Sequence, residues 1–393
     1  MSQHIYNQSN QPDFMQEITH MIFSDAVHRG ASDIHIEPYQ HHLRIRFRMD
    51  GLLHEILTLP VDTIDRVIGC IKILGQLDIA IKRMPQDGRL TFHSYLGFVK
   101  DCRISTCPTI HGEKIVVRLL DAHTMVRSID ALGLTQDHQK MITNTIQQPQ
   151  GLILVTGPTG SGKTITLYTL LQLLNKQYRN ITTIEDPVEM QINGINQTAV
   201  SAKMGFTFSY ILRTLLRQDP DVMMVGEIRD LETAEMAIRA AQTGHLVLST
   251  LHTNSATDAV TRLIQMGVAP FHLTSALTLI IAQRLVRKLC VHCKKPCILP
   301  TQSYCDAGFQ VDHSTVKTIF QSSECVQCTQ GFLGRMGVFE LLPMTSAFQQ
   351  FILNHTSHQR VPQKNLWQAG LSLVASGVTS LDEIYRVIPR ELP

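Results

Sequence analysis

The chain has almost no net charge and few aromatic rings. Its 35 Lys and Arg oppose 33 Asp and Glu, for a net +2, and a single Trp belongs to an aromatic content of 6%. Electrostatics alone therefore demand no nucleic-acid or lipid partner. The scarcity of rings argues against a stacking-rich carbohydrate or nucleic-acid surface. No apolar run reaches the length that spans a bilayer, so no membrane-spanning helix is expected. The opening residues, MSQHIYNQSNQP, lack the basic start and apolar centre of a secretory signal. There is no tandem repeat and no low-complexity tract. What remains is a chain of 393 residues, 44% hydrophobic, enough at about 150 residues per domain for two to three packed domains. Nine cysteines without an export signal point to reduced thiols, with metal as the use of any close pairs. The 18 histidines mostly stand singly and read as surface or core residues.

Residues 1–12 read as a loose tail. From Phe14, apolar residues at Ile18, Ile22 and Ala26 keep a four-residue step, predicting an amphipathic helix that Gly30 ends. SDIHIEP and HLRIRFRMDGLLHEI alternate apolar and polar, with Asp50-Gly51 as a hairpin turn. A helix around 61–76 and a strand-rich stretch around 88–119 complete a mixed α/β domain over 13–120, followed by a linker over 121–134. The pattern then changes. GLILVTG, ITTIED, DVMMVGE and HLVLSTLH are short apolar runs separated by helical stretches. Runs of that length suit strands buried on both faces, which predicts a parallel, doubly wound α/β sheet over 135–289. A cysteine-bearing segment occupies 290–330, and 331–393 is expected to be helical.

The most specific signal is Gly157-Pro158-Thr159-Gly160-Ser161-Gly162-Lys163-Thr164, which fits G-x-x-x-x-G-K-[ST] between an apolar strand and the helical run ITLYTLLQLL. The glycines let backbone N–H groups turn inward around phosphate oxygens, and the helix N-terminus adds partial positive charge. Lys163 supplies a cation for the β- and γ-phosphates of ATP, and the Thr164 hydroxyl a ligand for Mg²⁺.

Such a loop needs acids at the ends of neighbouring strands. Glu227 follows VMMV and is the candidate to activate the attacking water or hold magnesium through water. Glu185, in TIEDPVE, is the second candidate, with Asp186 and Glu189 expected to cap or form ion pairs. His245 and His252 bracket one strand, roughly 23 Å apart if extended, so they cannot share a metal. His252 falls at the carboxyl end, where such sheets bind ligands, and suits sensing of the γ-phosphate. His245 supports the strand start.

Cys290-x-x-Cys293 and Cys325-x-x-Cys328 form two close pairs. Four thiolates satisfy tetrahedral Zn²⁺, with the intervening segment looped out. Cys297 competes with Cys293 for that role. Cys70, Cys102, Cys107 and Cys305 read as core or loop thiols.

Taken together, GPTGSGKT (157–164), TIEDPVE (183–189), LRTLLRQDPDVMMVGEIRD (212–230) and TGHLVLSTLHTN (243–254) resemble the Walker A motif, Asp box, Walker B motif and His box of the type II secretion and type IV pilus assembly ATPases, the GspE/PilB family. ASDIHIEP (31–38), RMPQDGRL (83–90), HGEKIVVRLL (111–120), AQRLVRKLC (282–290) and GRMGVFELL (334–342) match as well. The resemblance implies a RecA-like P-loop ATPase domain, a cytoplasmic homo-hexamer, and the work of driving pilins or pseudopilins out of the inner membrane. It also implies a tetracysteine zinc insertion of structural kind, which pilus-retraction ATPases lack. Members commonly carry an additional N-terminal domain that docks on inner-membrane platform proteins. Here the motifs begin almost at the start, so either the chain is a short member or that domain is missing. Peripheral, partner-dependent membrane association is the corresponding expectation. Arg103 and Arg118 match arginines with which the family's N-terminal domain reaches the nucleotide. Arg213 and Arg217 match arginines contributed by neighbouring subunits; the alternative for all four is structural ion pairing.

Three other readings compete. A DNA-uptake pilus ATPase uses the same motor. A nucleic-acid motor is suggested by the basic runs Arg284–Lys288 and Lys294-Lys295, against the near-neutral charge. A scaffold that binds nucleotide without turnover is opposed by the intact Lys163, Thr164 and Glu227.

Overall fold

The computed structural model describes residues 12–94, 97, 99–120, 128–201, 204–298, 304, 306–309, 318–354 and 365–389. The expected tail before Pro12, linker residues 121–127 and Cys305 lie outside the described residues. The chain divides into two compact units, Met1–Thr124 and Met125–Pro393.

The first unit opens with helix α1 (Pro12–His28), closed by Gly30 at φ 66°. Strands β1 (Asp33–Pro38), β2 (His42–Met49) and β3 (Leu52–Pro60) precede helix α2 (Ile64–Leu74). Strands β4 (Gln86–His93), β5 (Val99–Thr109) and β6 (Gly112–Leu120) follow. The six form one sheet in the order β3-β2-β1-β6-β5-β4, antiparallel throughout. Asp50 and Gly51, both at positive φ (47° and 87°), make the β2–β3 turn, the geometry that an Asp-Gly pair favours. Alternation assigns the faces. Ile34, Ile36, Ile45, Phe47, Ile115 and Val117 point into a core shared with Ile18, Ile22 and Phe23 of α1 and Val67 and Ile71 of α2. The opposite face is polar. Across it, Arg48 pairs with Asp33, Asp33 with Arg118, Arg118 with Arg103 and Arg103 with Arg89, all in register.

The second unit runs α3 (Gln136–Ile146), β7 (Gly151–Thr156), α4 (Lys163–Leu174), β8 (Ile181–Glu185), β9 (Asn196–Ala199), α5 (Phe208–Leu215), β10 (Val222–Val225), α6 (Leu231–Gln242), β11 (Leu246–Leu251), α7 (Ala256–Gln265), α8 (Pro270–Ala276) and β12 (Leu277–Leu289). After the two-stranded β13 (Lys295–Cys297) and β14 (Ile319–Gln321) come β15 (Phe332–Pro343) and helices α9 (Ser346–Asn354), α10 (Leu366–Ala375) and α11 (Leu381–Val387). The large sheet has the order β15-β12-β7-β11-β10-β8-β9. In β7, Leu152 and Leu154 face one core with α6 and α7 residues. Ile153 and Val155 face the other with α3 and α4. Burial on both sides explains the unbroken apolar runs.

Within 135–289 the strand pairs are all parallel, as expected, and edge strand β15, from beyond that range, joins antiparallel to β12. One expectation needs correction. The stretch from 331, expected to be helical, forms that strand, and helices begin only at Ser346. The cause is double burial. Val338 and Leu342 enter one core while Phe339 and Leu341 enter the other, so the run shows no alternation and cannot be told from a buried helix by periodicity.

Candidate functional site

The strand order brings the carboxyl ends of β7, β11, β10 and β8 side by side. β7 leads into the phosphate loop. Gly157 and Gly162 sit at φ 150° and 88°, in the left-handed region that favours glycine. A Cβ at Gly157 would lie 2.5 Å from both the Gln283 carbonyl oxygen and Ser161 Oγ. Lys163 opens α4 and curls back, its Nζ donating to the carbonyls of Gly157 (2.7 Å) and Pro158 (3.1 Å). Burial lowers its pKa to about 8, against the pull of Glu227, while Arg284 lowers it further. Ser161 Oγ is buried without a hydrogen-bond partner among the described residues. A buried donor without a partner is costly. Anionic phosphate oxygens would satisfy it and supply the charge that Lys163 lacks, so the residues fit a nucleotide phosphate chain.

Glu227 lies two residues beyond β10, largely buried. Arg229 pairs with it, and His252 Nε2, one residue beyond β11, stands 3.6 Å from its Oε2. Burial and the Lys163 charge lower the His252 pKa below the ordinary histidine value, against the opposing pull of Glu227, so at neutral pH the imidazole is uncharged. Glu227, His252 and Lys163 thus share one electrostatic neighbourhood. Glu185 ends β8, and the Tyr168 hydroxyl donates to its Oε2. Thr183 Oγ1 (2.6 Å) and Gln197 Nε2 (3.0 Å) donate to its Oε1. With both oxygens engaged and the residue buried, Glu185 suits holding α4 against β8 better than activating water. Asp186 stands 3.9 Å from Arg229. At the far end of β11, His245 Nδ1 lies 3.0 Å from the Ala240 carbonyl.

The arginines fall in different places. Arg213 pairs with Glu232 of α6, and Arg217 donates to the Arg213 carbonyl (3.0 Å); both are exposed. Arg103 and Arg118 are in the first unit, where Arg118 Nε donates to Asp33 Oδ1 at 3.0 Å.

The Sγ atoms of Cys290, Cys293, Cys325 and Cys328 all lie within 4.8 Å of one another. Sγ separations are 3.9 Å for Cys290–Cys325, 3.6 Å for Cys293–Cys328 and 3.5 Å for Cys325–Cys328. Four sulfurs about 2.3 Å from a tetrahedral ion stand about 3.8 Å apart, so the cluster fits a metal. Cys297 is in β13 and takes no part in it. Cys102 is a core thiol pushed up to about 12 by burial.

Two residues beside the site carried no role in nucleotide binding in the sequence reading. Gln283 and Arg284 of β12 are each only 2% exposed. Their signal was the AQR of AQRLVRKLC, which periodicity alone left uninterpreted. Two cations of the basic run that suggested a nucleic-acid surface are engaged within the protein. Arg284 is buried, and the guanidinium of Arg287 is 2.8 Å from Glu383 of α11.

The family description "Type II/IV secretion system protein" matches residues 8–386. The chain belongs to that family. The type IV pilus assembly ATPase PilB of Pseudomonas aeruginosa is 47% identical over 370 residues, 92% of this chain and 65% of that protein. The chain therefore spans just under two thirds of that relative. The type II secretion system ATPase E of Vibrio cholerae is 44% identical over 378 residues, 94% of this chain and 75% of that protein. Among solved structures, the pilus retraction motor PilT with bound ADP superposes with a TM-score of 0.62 at 26% identity, covering 93% of this chain and 96% of its own. Among the described residues no helix is long and apolar enough to cross a membrane.

Proposed function

We propose that this family member hydrolyses ATP with Mg²⁺ and works as a homo-hexameric motor. The work is assembly of a type IV pilus or a type II secretion pseudopilus, at inner-membrane platform proteins on the cytoplasmic face. The observation that carries the reading is the convergence of Lys163, the partnerless Ser161 hydroxyl, Glu227 and His252 at the ends of adjacent parallel strands. Residues 157–164 hold the phosphates, Thr164 holds Mg²⁺, and Glu227 takes a proton from the attacking water. Neutral His252 senses the γ-phosphate beside it. Bound Mg²⁺ neutralises charge on the β- and γ-phosphate oxygens. Glu185 holds the strand end that flanks the site.

Arg103 and Arg118 act as fingers on the γ-phosphate. Arg89, Arg103 and Arg118 are directly opposed across β4, β5 and β6. Arg213 and Arg217, exposed on the second unit, serve a neighbouring subunit's nucleotide. The tetracysteine cluster holds structural Zn²⁺ and favours assembly over retraction. A DNA-uptake pilus uses the same chemistry; buried Arg284 and paired Arg287 speak against a nucleic-acid motor.

The test is phosphate release from ATP by the purified chain, with and without Mg²⁺. Slow, Mg²⁺-dependent turnover that Lys163→Ala abolishes is expected. Nucleotide binding without any turnover would leave a scaffold, and no binding at all would end the reading.

A further inference from the structure

We infer that Gln283 and Arg284, adjacent on β12, are positioning residues for the nucleotide site. Gln283 sets the phosphate loop, and Arg284 sets the turn that carries His252. The inference rests on the nucleotide-binding reading of that loop.

Register places them. β12 runs parallel to β7 with Ala282 opposite Thr156, so Gln283 comes level with Gly157, where the loop begins. Successive strand residues point to opposite faces, so this dipeptide reaches both sides of the sheet from one point. On one side, Gln283 Oε1 accepts a hydrogen bond from Thr166 Oγ1 at 2.7 Å. Thr166 is fully buried in the first turn of α4, three residues after Lys163. The other end of Gln283 backs the loop itself. A Cβ on Gly162 would come 2.9 Å from Gln283 Nε2, and one on Gly157 2.5 Å from its carbonyl oxygen. Both ends of the glycine loop therefore rest on one residue.

On the other side, Arg284 Nη2 donates to Asn254 O (2.8 Å) and Asn254 Oδ1 (3.2 Å), and Nη1 to Gln283 O (3.0 Å). Asn254 is two residues past His252 and directly precedes Ser255, whose side chain caps α7. A guanidinium buried to this depth is unfavourable unless its donors are satisfied. Apolar side chains would fill the same space with less desolvation. What the polar pair adds is direction: fixed bonds to the two segments that flank the phosphates, anchored to the same strand. The turn with His252 cannot shift relative to the loop without breaking a bond to one or the other.

The two contacts predict different kinetic signatures, which separates positioning from folding. Intact purified chain is titrated with a fluorescent ADP analogue, and ATP turnover is followed by phosphate release. Gln283→Leu should raise the ADP Kd and the KM for ATP together, on the order of tenfold, because misplaced groups lose binding geometry. Thr166→Val should do the same, and the double variant should lose no more than either single one. Arg284→Lys should leave the ADP Kd within about twofold while kcat falls about tenfold, because the His252 turn is loosened and the loop is not. Should Arg284→Lys fail to fold, Asn254→Ala, at an exposed position, removes the Oδ1 acceptor at 3.2 Å but keeps the carbonyl, and should lower kcat by a smaller factor with the ADP Kd unchanged; parent kcat there would count against the Arg284 role. A merely structural role would lower the fraction of active protein: binding stoichiometry and kcat would fall together with Kd and KM at parent values. That result, or additive losses in the Gln283/Thr166 pair, overturns the inference. A parent chain that binds no ADP overturns the underlying reading instead, and this inference with it.

Discussion

Lys163 makes a quantitative prediction about pH. Burial holds its pKa at about 8 before any phosphate is present. An anion bound at the loop stabilises the charged form, so the bound state has a higher pKa than the free state. Below about pH 8 the lysine is protonated in both states, and binding is indifferent to pH. Above it, the free protein has lost the proton and must recover it to bind. At about pH 9 roughly one free chain in ten keeps the charge, so the ADP Kd should rise about tenfold, or about 1.4 kcal/mol. Each further unit adds a similar factor until the bound-state pKa is reached. ADP is fully ionised above about pH 8, because its last phosphate pKa lies well below that, so the change there belongs to the protein. Titration of a fluorescent ADP analogue between pH 7 and 9.5 at constant ionic strength measures it. Calorimetry in two buffers of different ionisation enthalpy should show uptake of close to one proton per ADP at the high end and none near pH 7. A Kd that stays flat to pH 9.5, with the fold intact by circular dichroism, refutes the reasoning that Lys163 is held near neutrality to meet a phosphate.

Other expectations separate the remaining groups. Glu227→Gln should retain ADP affinity while phosphate release falls by about 10²–10⁴, the usual contribution of a positioned base; parent-rate release would remove Glu227 from that role. Glu185→Gln should lose less activity but lower the melting temperature, since three donors would then face a single acceptor oxygen. A rate loss equal to that of Glu227→Gln would restore Glu185 as a base. Cys328→Ser should lower bound zinc, measured by elemental analysis after reductive purification, while ADP binding survives; zinc-free parent protein would exclude the site. Arg118→Ala and Arg103→Ala should each reduce kcat about tenfold, a barrier change of about 1.4 kcal/mol, with ADP affinity unchanged because ADP lacks the γ-phosphate. Unchanged kcat in both would leave them as sheet residues.

Local rules made much of the architecture legible. Asp50-Gly51 requires two positive φ values and appears as the β2–β3 turn. β7, β8, β10 and β11 are short, largely apolar runs buried along their whole length, so their lengths and flanks sufficed. β12 and β15 were harder. In β12, polar Gln283, Arg284 and Arg287 interrupt the apolar pattern, yet all face protein and not water: Thr166, Asn254 and Glu383 meet them. A polar residue is read as surface unless its partner is known, and these partners are between 30 and 117 residues away. Only the pairing of the folded chain reveals them.

The same limit applies to the two acids. Glu227 and Glu185 have equivalent local settings, a carboxylate at the end of an apolar strand beside the phosphate loop. What separates them is the company they keep. Glu185 is met by three neutral donors, from Tyr168, Thr183 and Gln197. These fix a buried carboxylate in place with both of its oxygens engaged. Glu227 is met by the exposed cation of Arg229 and by an uncharged imidazole at 3.6 Å, beside Lys163. A charge held by an exposed partner can be released when that partner moves, whereas one held by three donors packed inside the fold is not. Arg229 also approaches Asp186, so it has a second carboxylate to turn to when Glu227 must face water. The proposal of Glu227 as the base therefore rests on the exposure of its partner, a property that spacing along the chain does not encode.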